Sequence, residues 1–229
     1  MTIAIGDIHG CARTFDRLLD EIELTRDDRI IALGDYVDRG PDSKSVLDRL
    51  IQLHSTGQLI ALLGNHDIVM LDALQHPQKE AEWRDFGGDT TIDSYAPPGV
   101  PGKLADIPLE HRNFLENHCL NSYETETAFF VHANADPDLP IAEQPDTMLF
   151  WEKFHNPPPH HSGKTMICGH TSQKSGDPVH IGHAICIDTW AWGGGWLTAL
   201  EVESGKLWQA NRAGRTRIGW IEDYRQDPK

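Results

Sequence analysis

Short continuous apolar runs alternate with amphipathic stretches over the first sixty residues. "TIAIG" (2–6), "RIIAL" (29–33) and "QLIALL" (58–63) have the length and β-branched content of buried strands. Between them, "RTFDRLLDEIEL" (13–24) sets Phe15, Leu18, Leu19 and Ile22 at helical spacing. "DSKSVLDRLIQLH" (42–54) does the same with Val46, Leu47, Leu50 and Ile51, after a proline and with Asp42 or Ser43 as cap. Strand, helix, strand, helix, strand predicts parallel pairing through helical crossovers, an α/β fold.

Beyond residue 67 the pattern changes. Residues 67–120 read as helical and acidic, broken by the loop "YAPPGVPG" (95–102). Strands return at "ETAFFVHA" (126–133), "TMICGH" (165–170), "AICIDT" (184–189), "GWLTALEVE" (195–203) and "KLWQA" (206–210), with Ser204-Gly205 as a hairpin turn. "NPPPHHSGK" (156–164) is a loop. No linker or repeat is visible, so the expectation is one domain over 1–210 and a loose, charged tail over 211–229.

Five strands end in one style. They run into "GDIHG" (6–10), "GDYVDRG" (34–40), "GNHD" (64–67), "VHAN" (131–134) and "CGHT" (168–171). Each delivers Asp, Asn or His just past buried apolar residues, where parallel strands converge on one sheet edge. Collected there would be Asp7, His9, Asp35, Asn65, His132 and His170. Oxygen and imidazole donors together suit divalent transition metals, and six of them suit two ions sharing a carboxylate.

Charge sharpens the picture. A formal net charge of -15 argues against a long nucleic-acid surface, which needs a positive field, but not against a small anionic substrate at a local cationic site. Two divalent ions beside Asp7 and Asp35 would make such a site. No apolar run reaches the ~20 residues of a membrane helix, and no leader pattern follows Met1. Cys11, Cys119, Cys168 and Cys186 form no CxxC pair, which fits reduced thiols in the cytoplasm.

With "GDIHG", "GDYVDRG", "GNHD", "VHA" and "GHT" in this order, the chain resembles the serine/threonine protein phosphatase-type metallophosphoesterases from residue 3 to about 203. Bacterial and bacteriophage members are included, and bacterial symmetrical diadenosine tetraphosphatases share the scaffold. The resemblance implies two facing β-sheets flanked by helices, α/β/β/α, with two metals at the strand ends. Asp7, His9 and Asp35 would hold one ion; Asp35, as bridge, with Asn65, His132 and His170 would hold the other. Manganese is the first expectation, with iron or zinc as alternatives. A hydroxide between the ions would attack phosphorus, His66 would protonate the leaving group, Asp38 would orient His66, and Arg39 would clamp phosphate oxygens. Asp67 would start the next helix.

The implied substrate is a phosphoprotein, phosphopeptide or small phosphorylated molecule, with serine/threonine phosphatase activity as the main expectation. A dinucleoside polyphosphate hydrolase is the alternative and a non-catalytic metal-binding module the third. Leu63 stands where protein phosphatases carry arginine, and "LGNHD" is closer to the tetraphosphatases. Asp38, often missing there, is present. Lys153 is the nearest cation to a further family arginine, and Trp190 replaces a glycine. Trp190, Trp192 and Trp196 are expected to pack around a glycine bend, His155, His160 and His161 to face solvent, and 80–93 to be a solvated acidic helix and turn. His180 and His183 compete with His170 as ligands, and its place in "GHT" favours His170.

Overall fold

The computed structural model describes residues 1–226 and consists of two mixed β-sheets packed face to face with helices outside each. β1 (Thr2–Ile5), β2 (Arg29–Ala32) and β3 (Leu59–Leu62) pair in parallel, linked by α1 (Ala12–Ile22) and α2 (Ser43–Ser55). Asp42 caps α2 by accepting the Ser45 amide at 3.0 Å. The short β4 (Cys119–Leu120) closes one edge of this sheet. β10 (Leu197–Glu201), β11 (Lys206–Ala210) and β12 (Thr216–Trp220) extend the other, all antiparallel.

The second sheet has the order β5 (Ser122–Glu124), β6 (Ala128–Val131), β7 (Thr165–Cys168), β9 (Ala184–Cys186), β8 (Val179–His180), with β6, β7 and β9 parallel. Period-two alternation explains how one apolar run serves two layers. Ala4, Ile31 and Leu62 meet Phe130, Ile167 and Ile185 between the sheets. Their neighbours Ile3, Ile5 and Ile30 turn outward onto Phe15, Leu18 and Leu47 of the helices. Phe129 and Met166 cover the far face with Leu149, Phe150 and Phe154.

Two expectations need correcting. The segment after Ala210 is not a loose tail over its described part: Asn211 Oδ1 accepts the Ala213 and Arg215 amides, turning the chain so that β12 pairs with β11 over five residues. Residues 227–229 of that predicted tail lie outside the described residues. Nor is the helix and turn of 80–93 solvated throughout. Glu80–Trp83 and Asp89–Asp93 are short helices around a left-handed Gly87, and they bury Trp83, Thr91 and Ile92 completely. Among the described residues no helix is long and apolar enough to cross a membrane.

Candidate metal centre

β1, β2, β3, β6 and β7 point the same way, so their C-terminal ends deliver Asp7 and His9, Asp35, Asn65, His132 and His170 to one edge of the sandwich. The turns there are tight. His9, Asp35, Asp38, Arg39 and His170 all have positive φ, from 45° to 71°, a region that non-glycine residues enter at a cost. Gly64 has no alternative: a Cβ on it would overlap Asp35 Oδ1.

Two clusters share Asp35. His9, Asp35 and His66 converge on one side; Asp35, His132 and His170 converge on the other, each set with donor atoms within 4.8 Å of one another. His9 Nδ1 donates to the Val37 carbonyl at 2.8 Å, leaving the Nε2 lone pair 3.4 Å from Asp35 Oδ2. In the neutral ring, His132 Nδ1 donates to the Leu33 carbonyl, and Nε2 faces Asn65 Oδ1 at 3.0 Å and Asp35 Oδ1 at 3.4 Å. His170 Nε2 donates to the Trp151 carbonyl, and Nδ1 lies 2.9 Å from the same Asn65 oxygen. Lone pairs thus meet with no proton between them. A divalent cation in their midst reconciles the set, so the residues present fit a metal.

The electrostatics agree. Burial pushes both His9 and His170 down to about 3, which keeps their lone pairs free at neutral pH. Burial opposes charge on Asp35 too, but His132, His66 and His9 outweigh it and hold this carboxyl below the usual range.

Asp7 enters neither cluster. It accepts the His170 amide at 3.0 Å, and burial, then the charges of Asp188 and Asp35, hold its carboxyl well above the ordinary value. A raised carboxyl stabilises the folded chain below the unfolded value of 3.8 and loses that contribution as pH rises through the folded value. Cation binding at Asp7 would displace that proton. The thermal stabilisation by saturating Mn²⁺ over EDTA is therefore expected to be larger at pH 8 than at pH 5.5, read as the difference in Tm at each pH. Equal gains at both would exclude Asp7 as the group that releases the proton.

Beside the clusters, His66 Nδ1 lies 2.7 Å from Asp38 Oδ2, with both residues buried. Asp38 also accepts Trp83 Nε1 at 3.0 Å and Thr91 Oγ1 at 2.8 Å. Burial raises the Asp38 carboxyl, and the hydrogen bond from His66 is the largest effect opposing it. Phe86 stacks on the other face of His66 at 4.3 Å. Arg39 lies over Trp192, 5.0 Å from the ring centre, with Nη1 3.2 Å from His9 Nε2. It lines a cleft of about 210 Å³ with Asp35, Asn65, His66, Phe86, Trp151, Lys153 and His170.

Other positions differ from expectation. Asp67 does not begin the helix over Asn65–Gln75, hereafter α3. From its first turn it accepts the amides of Gly64, Asp35 and Tyr36, tying two ligand loops together. His160 is buried, bonded to Ser162 and the Leu139 carbonyl, while His155 and His161 are exposed. His183 bonds the Pro157 carbonyl and His180 faces Glu222, so neither competes with His170. Asp188, missed in the sequence, accepts Ser172 Oγ at 2.6 Å and raises Asp7. It follows β9 in the strand-end style of the other five, which is the signal that reaches it.

Imidazole and carboxylate donors around a shared Asp35, next to a guanidinium that joins no ion pair among the described residues, are the site of a metal-dependent phosphoester hydrolase. The sequence agrees: residues 2–188 match the calcineurin-like phosphoesterase family, to which this chain belongs. It is 50% identical over 72 residues to the symmetrical bis(5'-nucleosyl)-tetraphosphatase of Nitrosomonas europaea, covering 31% of this chain and 26% of that protein. The enzyme of the same name from Legionella pneumophila is 40% identical over 160 residues, 66% of this chain and 53% of the relative. The chain thus spans about a quarter of the first relative and about half of the second. A crystal structure of a candidate diadenosine tetraphosphatase superposes with a TM-score of 0.65 at 21% identity over 96% of this chain and 92% of that one, which shows the fold.

Proposed function

We propose that the chain hydrolyses dinucleoside polyphosphates, cutting a tetraphosphate at its centre. The observation that carries this is the 160-residue match to a symmetrical tetraphosphatase, joined by Leu63 in place of the protein phosphatases' arginine. It reverses the order expected from the motifs alone, in which a phosphoprotein substrate came first.

In this reading Asp7, His9 and Asp35, and then Asp35, Asn65, His132 and His170, hold two divalent ions. Manganese is the ion we propose first, for the carboxylate and amide oxygens among the donors; iron and zinc accept the same set. Such ions lower the pKa of water and polarise phosphoryl oxygens. Arg39, held flat by Trp192, presents its fork to the phosphate oxygens. His66 hands a proton to the departing oxygen, and Asp38, fixed by Trp83 and Thr91, sets the imidazole's orientation.

One observation favours a second reading. A nucleoside diphosphate leaves as a stable anion and scarcely needs a proton, whereas a serine or threonine alkoxide does. The intact His66–Asp38 pair therefore supports phosphomonoester cleavage as well. Assaying diadenosine tetraphosphate and a phosphoserine peptide on one Mn²⁺-loaded sample separates the two. The expected result is ADP as sole product and a kcat/KM for the dinucleotide about tenfold or more above the peptide, equivalent to about 1.4 kcal/mol. The reverse ratio would establish the phosphatase reading instead.

A further inference from the structure

Where the metal loops run on into α1 and α2 lies a second cavity, of about 580 Å³, that the reaction as described does not use. Its volume falls within the ~300–1,000 Å³ typical of small-molecule sites. One wall continues directly from the metal loops. Cys11 and Ala12 follow the "GDIHG" turn, and Pro41 and Asp42 follow the "DRG" turn. The opposite wall is the 93–98 loop.

Two guanidinium groups face this space. Arg13 and Arg212 are exposed, and neither joins an ion pair among the described residues, in a chain whose net charge is -15. Arg212 Nη1 donates to the Trp192 carbonyl at 2.8 Å, and Trp192 is the ring on which Arg39 lies. Arg39, Trp192 and Arg212 thus form a row from the cleft to the cavity. Ala12, Pro41, Ala96 and Pro98 supply apolar surface for a flat ring. Asp93 keeps one carboxylate oxygen free of the Gly102 amide, able to accept from a sugar hydroxyl.

We propose that this cavity receives the nucleoside 5′-phosphate portion of the substrate that lies beyond the scissile phosphate, with Arg13 and Arg212 on its phosphates. The proposal deepens the dinucleoside polyphosphate reading and rests on it. A substrate's remote half, bound there, would raise the effective concentration of its central phosphates at the metals. Simple monoesters would gain nothing.

Two variants test it without touching the catalytic groups. Arg13→Gln removes one cation from an exposed position; Ala96→Trp fills the cavity from a surface loop and changes no charge. With diadenosine tetraphosphate, each is expected to raise KM about tenfold, the worth of one charge-assisted contact. With p-nitrophenyl phosphate, too short to reach the cavity, kcat/KM should stay within about twofold of wild type. Unchanged KM for the dinucleotide, or an equal loss on both substrates, overturns the proposal. Calorimetric titration with the methylene-bridged analogue of ADP separates its failure from that of the parent reading. Should the wild type cleave no dinucleotide, analogue binding weakened by both variants would still assign the cavity to a nucleotide. Binding that is absent, or indifferent to both, would remove the assignment whatever the enzyme cleaves.

Discussion

Asp35→Asn is expected to abolish uptake of both ions and to cut kcat/KM by at least about 10³-fold, since a metal supplies several kcal/mol of charge stabilisation. Both clusters contain Asp35; without it the first proposed ion keeps Asp7 and His9, the second keeps only the neutral donors Asn65, His132 and His170, and no charge is shared between them. An amide oxygen carries no charge to bridge two cations. Destruction of the fold would give the same loss of activity, but the two outcomes differ in stability. Asp35's charge raises the carboxyls of Asp7 and Asp67, a repulsion whose relief offsets the lost attraction to His132, His66 and His9, and asparagine keeps an oxygen for the His66 amide. The variant's Tm in EDTA should therefore hold, while the gain in Tm on adding Mn²⁺ disappears. A variant that still binds two ions with native affinity would show that the clusters are not the metal site.

His66→Asn is expected to lower kcat on an alkyl phosphate by about 10²–10⁴-fold, the usual contribution of a positioned acid. The loss on diadenosine tetraphosphate should be much smaller, because a nucleoside diphosphate is a far better leaving group than an alkoxide and gains little from the proton. Asparagine can still donate to Asp38, which otherwise would sit buried with one donor fewer beside Trp83 and Thr91. The same variant answers a question the geometry raises. His66 falls within ligand distance of His9 and Asp35, and its ring meets that of His9 edge-on at 4.7 Å. As a proton donor its loss leaves metal stoichiometry at two; as a ligand its loss leaves one ion, and the alkyl and dinucleotide substrates suffer alike.

Most of the scaffold was readable because β1, β2, β3, β6 and β7 are buried on both faces, which writes each as an unbroken apolar run ending in a polar group, with a glycine before it in all but β6. The candidate ligands came from the same punctuation. What escaped was set by contacts distant in sequence. Nothing local to "EAEW" says that Trp83 will donate to Asp38, 45 residues earlier, so an acidic stretch was read as surface. β12 escaped because it is an edge strand, with Ile218 and Trp220 exposed, Arg217 before them and Gly219 between. His160 sits in a proline-rich loop whose composition predicts exposure, yet it is drawn inward by the Leu139 carbonyl.

The left-handed turns at His9, Asp35, Asp38, Arg39 and His170 set activity against endurance. Glycine would relieve roughly 1–2 kcal/mol of left-handed backbone cost at each position, but each exchange would delete a group the proposed chemistry needs and, at Asp35 and Asp38, buried hydrogen bonds as well. Easing the backbone at these turns would thus come at the expense of the proposed metal and phosphate groups, so relief of strain and retention of the site pull in opposite directions.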